Sequence, residues 1–201
     1  MKNKIIFASN NAGKITELQS LLKPFHYEII PQSLLGIPEI EETGLTFVEN
    51  AILKARHACQ LSEKPAIADD SGLVVQALDG APGIYSARYA GKKADAAANN
   101  KKLLTEMADV PKEERQAHFH CALVYLQHAE DPAPLICEGI WNGFILNDPI
   151  GIHGFGYDPL FYDINEMCSA AEFPLEKKNK ISHRAHALRA LMTKLNATQN
   201  G

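Results

Sequence analysis

Two adjacent carboxylates set inside an apolar run constrain this chain more than any other feature. They are Asp69 and Asp70, in the stretch P-A-I-A-D-D-S-G-L-V-V-Q-A-L from Pro65 to Leu78. The first apolar residues read as the end of a buried strand, Ser71-Gly72 as a turn, and the rest as a second apolar run. A buried carboxylate is costly unless a cation or several donors compensate it. In α/β sheets, ligands bind beyond the carboxyl ends of strands. The pair therefore points to a divalent-metal and general-base site. The same four residues also suit a solvated Asp-Asp-Ser-Gly turn, and the rest of the chain has to decide between the two.

A chain of 201 residues with 46% hydrophobic and 22% charged residues can bury a sizeable core as one domain, residues 1–201. A net charge of −4 leaves no electrostatic footprint for nucleic acid, although a small anion can still be held locally. Cysteines at 59, 121, 137 and 168 show neither C-x-x-C nor zinc-ligand spacing. They read as buried free thiols of a reducing compartment. The apolar run after Met1 is too short for a signal peptide, and no stretch reaches the roughly 20 apolar residues of a membrane span. A cytoplasmic location is the expectation.

Ile5 to Ala8 reads as a buried strand that passes through Ser9, Asn10, Asn11, Ala12, Gly13 and Lys14 into a helix with Ile15, Leu18, Leu21 and Leu22 on one face. Strand, small-residue turn, lysine and helix together can cradle phosphate, because free N–H groups and the positive helix end face the anion. The stretch is not a Walker A motif: the leading glycine is missing and Ile15 stands where Ser or Thr would be. An Asn-rich turn that merely caps the helix is the competing reading. Tyr27 to Ile30 follows as a second strand. Glu39, Glu41 and Glu42 then precede Thr43-Gly44, and Thr46 with Glu49 forms a capping box for a helix to about Leu61. The acidic cluster suits a helix-preceding loop, and it can equally complete a magnesium site of one or two carboxylates.

Further along, Ala94 to Met107 is helical, and Arg115 to Gln127 and Leu135 to Leu146 read as strands. His118 and His120 share a face of the first of these strands, either as metal ligands or as a partly exposed sheet edge. Gly151 to Pro159 is a glycine-rich loop in which Phe155 and Tyr157 offer faces for stacking a base, or equally an ordinary tight turn into a strand at Leu160-Phe161-Tyr162. Ser182 suits an N-cap, placing His183 and Arg184 in the first turn of a last helix. Arginine is poorly placed there unless an anion or carbonyl oxygen docks against it.

Five motifs in one order resemble the inosine triphosphate pyrophosphatase family: Ser9-x-Asn11-x-x-Lys14, Glu41-Glu42-Thr43-Gly44, Ala68-Asp69-Asp70-Ser71-Gly72, Phe155-Gly156-Tyr157-Asp158 and Ser182-His183-Arg184. The resemblance runs from Ile5 to about Leu195, and Asn10 departs from a frequent glycine. It implies an α/β fold, with a mixed central sheet flanked by helices in two lobes around a cleft, and a homodimer. It also implies Mg²⁺-dependent hydrolysis of ITP, dITP and XTP to the monophosphate and pyrophosphate, with no nucleic-acid or membrane partner. Ser9 to Lys14 would hold the triphosphate. Glu41 and Asp70 would ligate Mg²⁺, with Asp70 also the general base. Ser71, Phe155, Gly156, Tyr157, Asp158, Lys178, His183 and Arg184 would bind base, sugar or phosphate. The two histidines of the strand have no place in that scheme. A pyrophosphatase with another base preference, and a nucleotide-binding regulator without turnover, are the alternatives.

Overall fold

The computed structural model describes residues 3–25 and 27–199. Its sheet has seven strands among the described residues: β1 (Asn3–Phe7), β2 (Tyr27–Pro31), β3 (Ala66–Val75), β4 (Gln116–Leu126), β5 (Leu135–Ile145), β6 (Phe161–Asp163) and β7 (Cys168–Ser169). They lie in the order β2-β1-β3-β4-β5-β6-β7. β1 is parallel to β2 and to β3, whereas β6 is antiparallel to β5 and to β7, so the sheet is mixed. The helices are α1 (Ala12–Leu22), α2 (Phe47–Ser62), α3 (Ala96–Glu106), α4 (Leu175–Ile181) and α5 (His183–Gln199). No helix among the described residues is long and apolar enough to cross a membrane.

The chain divides into two compact units. The first comprises the chain up to Asp70, Cys121–Gly139 and the chain from Arg184 on. The apolar part of β1 is buried on both faces, as a parallel strand covered by helices is. Alternation along the chain shows this: Ile5 and Phe7 pack with Leu18 and Leu22 of α1 and Leu188 and Leu191 of α5, while Ile6 and, just past the strand, Ala8 pack with Ala51, Ala55 and Ala58 of α2. α2 begins at the expected capping box, with Thr46 accepting from the Glu49 amide and Glu49 closing back on Thr46. The second unit comprises Ser71–His120 and Ile140–His183. Its core gathers Leu73, Leu103, Phe119, Trp141, Phe161 and Phe173, among others.

One expectation fails. Ser71-Gly72 is no turn: β3 continues from Ala66 to Val75 through both carboxylates. Turn-prone residues stay extended here because the local preference is outweighed by tertiary partners, cations for the carboxylates and close backbone for the glycine. A Cβ on Gly72 would sit 2.4 Å from both the Gly83 carbonyl oxygen and Ser86 Oγ. Gly72→Ala is therefore expected to destabilise the fold by about 1–3 kcal/mol through overpacking, read as a lower midpoint in urea at unchanged slope. A variant as stable as the parent would show that the Gly83–Ser86 loop yields freely.

All four cysteines are free thiols; Cys59, Cys121 and Cys137 are buried and Cys168 is half-buried. His118 and His120 lie on β4 with ring centroids 6.3 Å apart. Among the described residues no group of three or more His, Cys, Asp or Glu side chains is placed to hold a metal.

Candidate active site

The first unit concentrates charge at the middle of β3. Asp69 and Asp70 point to opposite faces, as successive strand residues must, and each meets a different set of partners. Asp69, 1% exposed, accepts from Arg184 Nε at 3.2 Å and from Nη2 at 3.1 Å. Lys14 Nζ lies 3.2 Å from its other oxygen. The remaining arm of Arg184 reaches Glu17, itself buried on α1. Burial opposes the charge on Arg184, but Asp69 and Glu17 more than compensate and hold its pKa above the usual arginine value. The arginine at the start of α5 thus has its anions within the chain.

Asp70, on the other face, accepts from Lys54 Nζ at 2.9 Å and from Asn50 Nδ2 at 3.3 Å. Lys54 also donates to Glu42 at 2.9 Å. Burial pushes the Asp70 carboxyl above the usual carboxylate range; Lys54 and Lys14 pull it back in part, and Glu42 pushes it up again. Burial works against the Lys54 charge too, yet Asp70, Asp69 and Glu42 keep its pKa raised. A buried carboxylate with an elevated pKa beside a controllable cation has the character of a general base. Asp70 and Glu42 offer oxygen only, which suits a hard cation completing its shell with phosphate oxygens and water.

Of the other expected residues in this unit, Ser9 is half-buried and its Oγ accepts from the Asn11 amide at 3.2 Å. Asn11 caps α1 by accepting from the Lys14 amide at 3.1 Å, so both readings of this turn share one geometry. Asn10 accepts from Gln32 Nε2 at 3.4 Å; Asn10 and Ala12 are exposed and Gly13 half-buried. Glu41 is exposed, and it is Glu42, one residue on, that shares a lysine with Asp70.

The second unit carries the other set. Lys178 Nζ donates to Asp158 Oδ2 at 2.6 Å and lies over the Phe155 ring, 4.7 Å from its centroid. The same Asp158 oxygen accepts from the Phe155 amide at 2.8 Å, closing the turn through Gly156, whose φ of +63° suits glycine. Tyr157 is buried and its hydroxyl donates to the Ser86 carbonyl at 2.8 Å, so its ring is a strut in the core while Phe155 stays half-buried. His183 is buried and stacks on Phe119, with centroids 4.9 Å apart. Ser71, half-buried, directly follows Asp70.

Sequence reasoning left Lys54, Asn50 and Glu17 without a role. A signal existed for two of them: Asn50 and Lys54 are four apart on α2, hence on one face, and both meet Asp70. Glu17 has no comparable local signal, since its partner is 167 positions away.

Comparison with known proteins places these residues in company. The sequence model of the Ham1 family matches residues 5–194. The dITP/XTP pyrophosphatase of Escherichia coli (strain K12) is 56% identical over 198 residues, 98% of this chain and 99% of that protein. The dITP/XTP pyrophosphatase of Legionella pneumophila (strain Paris) is 58% identical over 188 residues, 94% and 96% of the two chains. Among solved structures, a HAM1 protein from Coxiella burnetii superposes with a TM-score of 0.90 at 48% identity, covering 97% of this chain and 99% of that one. The Staphylococcus aureus Ham1 protein gives a TM-score of 0.85 at 39% identity, with 98% and 100% covered.

Proposed function

This chain belongs to the Ham1 family, and from that premise we infer that it hydrolyses the non-standard purine nucleoside triphosphates ITP, dITP and XTP to monophosphate and pyrophosphate. The purpose is to keep those nucleotides out of DNA and RNA. The whole chain, residues 1–201, works as one catalytic domain in the cytoplasm, as a homodimer, with Mg²⁺ as its cofactor. The observation that carries this reading is Asp70, a buried carboxylate with a raised pKa held by Lys54 and Asn50, whose neighbour Asp69 anchors Lys14.

In this mechanism Asp70 orients the attacking water and takes its proton. Lys14 and the turn Ser9 to Lys14 at the start of α1 bear on the phosphates, where charge develops on the leaving pyrophosphate as the bond from the α phosphorus to the α–β bridging oxygen breaks and the water oxygen bonds to that phosphorus. Lys54 favours the ionised form of Asp70 against the effect of burial. Asp70 and Glu41 are the proposed ligands of the metal; Glu42 shares Lys54 with Asp70. Bound Mg²⁺ supplies positive charge to the phosphate oxygens. Ser71, Phe155, Gly156, Tyr157, Asp158, Lys178 and His183 serve the rest of the substrate, Phe155 with its face and His183 with its ring nitrogens. Arg184 contributes by fixing the first turn of α5 against Asp69 and Glu17. Hypoxanthine and xanthine present an acceptor at C6 where adenine presents a donor, so a buried donor facing that position disfavours ATP.

The assignment of the second carboxylate is separable. Glu41→Gln is expected to raise the Mg²⁺ concentration for half-maximal activity about tenfold or more, and Glu42→Gln by much less. The opposite order would transfer the ligand role to Glu42.

A hydrolysis panel tests the function itself: ITP, dITP and XTP against ATP, GTP, CTP and UTP, with and without Mg²⁺, assaying pyrophosphate and orthophosphate separately. Mg²⁺-dependent pyrophosphate release from ITP, dITP and XTP far above the others is the expected result. Orthophosphate release, or equal rates on all bases, would overturn it.

A further inference from the structure

We propose that Asn100, braced by its neighbour Asn99, is a positioning residue for the loop Phe155–Asp158, and through that loop a determinant of base selectivity. The proposal rests on the reading of this loop as part of the base site. Both asparagines sit inside α3, where asparagine is a poor helix former because its side chain competes for backbone groups. Their side chains instead bond outside the helix. Asn99, 5% exposed, accepts from the Ala90 amide at 2.8 Å and donates to the Ala87 carbonyl at 3.2 Å. Asn100 Nδ2 donates to the Gly156 carbonyl at 3.1 Å, within the loop.

The two contacts converge. Asn99 fixes the backbone immediately after Ser86, and Ser86 provides the carbonyl that receives the Tyr157 hydroxyl at 2.8 Å. Ser86 is itself pinned, since its Oγ accepts from the Leu73 amide at 2.9 Å and donates to the Gly83 carbonyl at 2.6 Å. The loop is therefore held from α3 twice, directly at Gly156 and through Ser86 at Tyr157. A further tie, Lys178 to Asp158, comes from α4.

The surroundings of Asn100 argue against a packing role. It lines an open groove of about 520 Å³ whose other lining residues are mostly apolar, among them Leu104, Pro159 and Leu160, with Lys101 and Thr105 beside them. Its Oδ1 is buried with no hydrogen-bond partner among the described residues. Leucine would fill such a place without leaving an orphaned acceptor. What asparagine adds there is the single bond to Gly156.

The test compares Asn100→Leu and Asn100→Asp with the parent enzyme. Leucine keeps bulk and removes the donor; aspartate keeps shape and turns a carboxylate toward the Gly156 carbonyl. Amide hydrogen exchange without nucleotide is expected to accelerate at 155–158 in both variants by at least tenfold, with α5 unchanged. With ITP, KM is expected to rise about tenfold with kcat within threefold, and the ITP-to-ATP ratio of kcat/KM to narrow, while Asn100→Leu melts within a few degrees of the parent. Unchanged exchange at 155–158 would overturn the positioning role whatever the kinetics. Faster exchange with unchanged KM and selectivity would overturn the link to the base. That second outcome, in a parent enzyme that releases pyrophosphate from ITP, would also separate failure of the loop assignment from failure of the proposed reaction.

Discussion

Asp70→Asn is expected to cut kcat for ITP hydrolysis by about 10²–10⁴-fold, the range a positioned general base supplies, while the protein stays folded. The substitution is isosteric. The amide oxygen still accepts from Lys54, which lies 2.9 Å from Oδ1 in the parent, and the burial of a charge is relieved, while the new amide nitrogen loses the bond that Oδ2 accepted from Asn50. A thermal melt within a few degrees of the parent midpoint is therefore expected beside the loss of turnover. Hydrolysis within tenfold of the parent would remove Asp70 from both the base and the essential-ligand role. The pH profile offers an independent reading. The base must be deprotonated to act, and burial raises the Asp70 pKa above the usual carboxylate range. Activity is thus lost as pH falls through a value higher than an exposed aspartate would show. Lys54→Met removes a charge that pulls this pKa down, so the acid limb is expected to move further toward neutral pH.

Arg184→Ala is expected to destabilise the fold by about 3–5 kcal/mol, the usual cost of breaking a buried ion pair from one side. For a chain of this size that is a fall in Tm of about 10 °C. The reason is that Arg184, 1% exposed, is shared by two buried carboxylates, Asp69 and Glu17. Without it both must stay charged at a cost or take up protons, which places their folded-state pKa values above the unfolded ones. Stability of the variant is then lost as pH rises, so its deficit is largest at neutral pH and shrinks as pH falls toward the carboxylate range. Arg184→Lys is expected to fall between, since a single ammonium cannot bridge both partners as a guanidinium does. A Tm within 2 °C of the parent for Arg184→Ala would show that Lys14 alone satisfies Asp69.

The contrast between these two aspartates marks what could be read from residue order. Strand-turn-helix at the N-terminus, the Thr46 capping box and the two long strands are local patterns, and the structure reproduces them within a residue or two. Asp69 and Asp70 stood out because carboxylates inside an apolar run need compensation. Their compensators did not stand out. Lys14, Lys54 and Arg184 come from three different helices, and nothing local says which lysine answers which aspartate. The Ser71-Gly72 turn was misread for the same reason: turn propensity is a local quantity, while the strand is kept straight by partners elsewhere in sequence. Tyr157 looked like a stacking face because a glycine-rich loop suggests exposure, yet its hydroxyl finds a carbonyl 71 residues upstream and draws the ring inside.

The bond between Arg184 and Asp69 spans 115 positions, and that distance has a temporal meaning on the ribosome. At roughly 5–20 residues per second, about 6–23 s separate the synthesis of the aspartate from that of its arginine. During that interval Asp69 and Glu17 lack their shared cation, and the helix that covers β1 with Leu188 and Leu191 does not yet exist. The first unit, though it includes the start of the chain, is thus the last to be completed in translation. A nascent chain stalled before Arg184 would carry open apolar strands together with uncompensated acid, a natural client for a holdase chaperone.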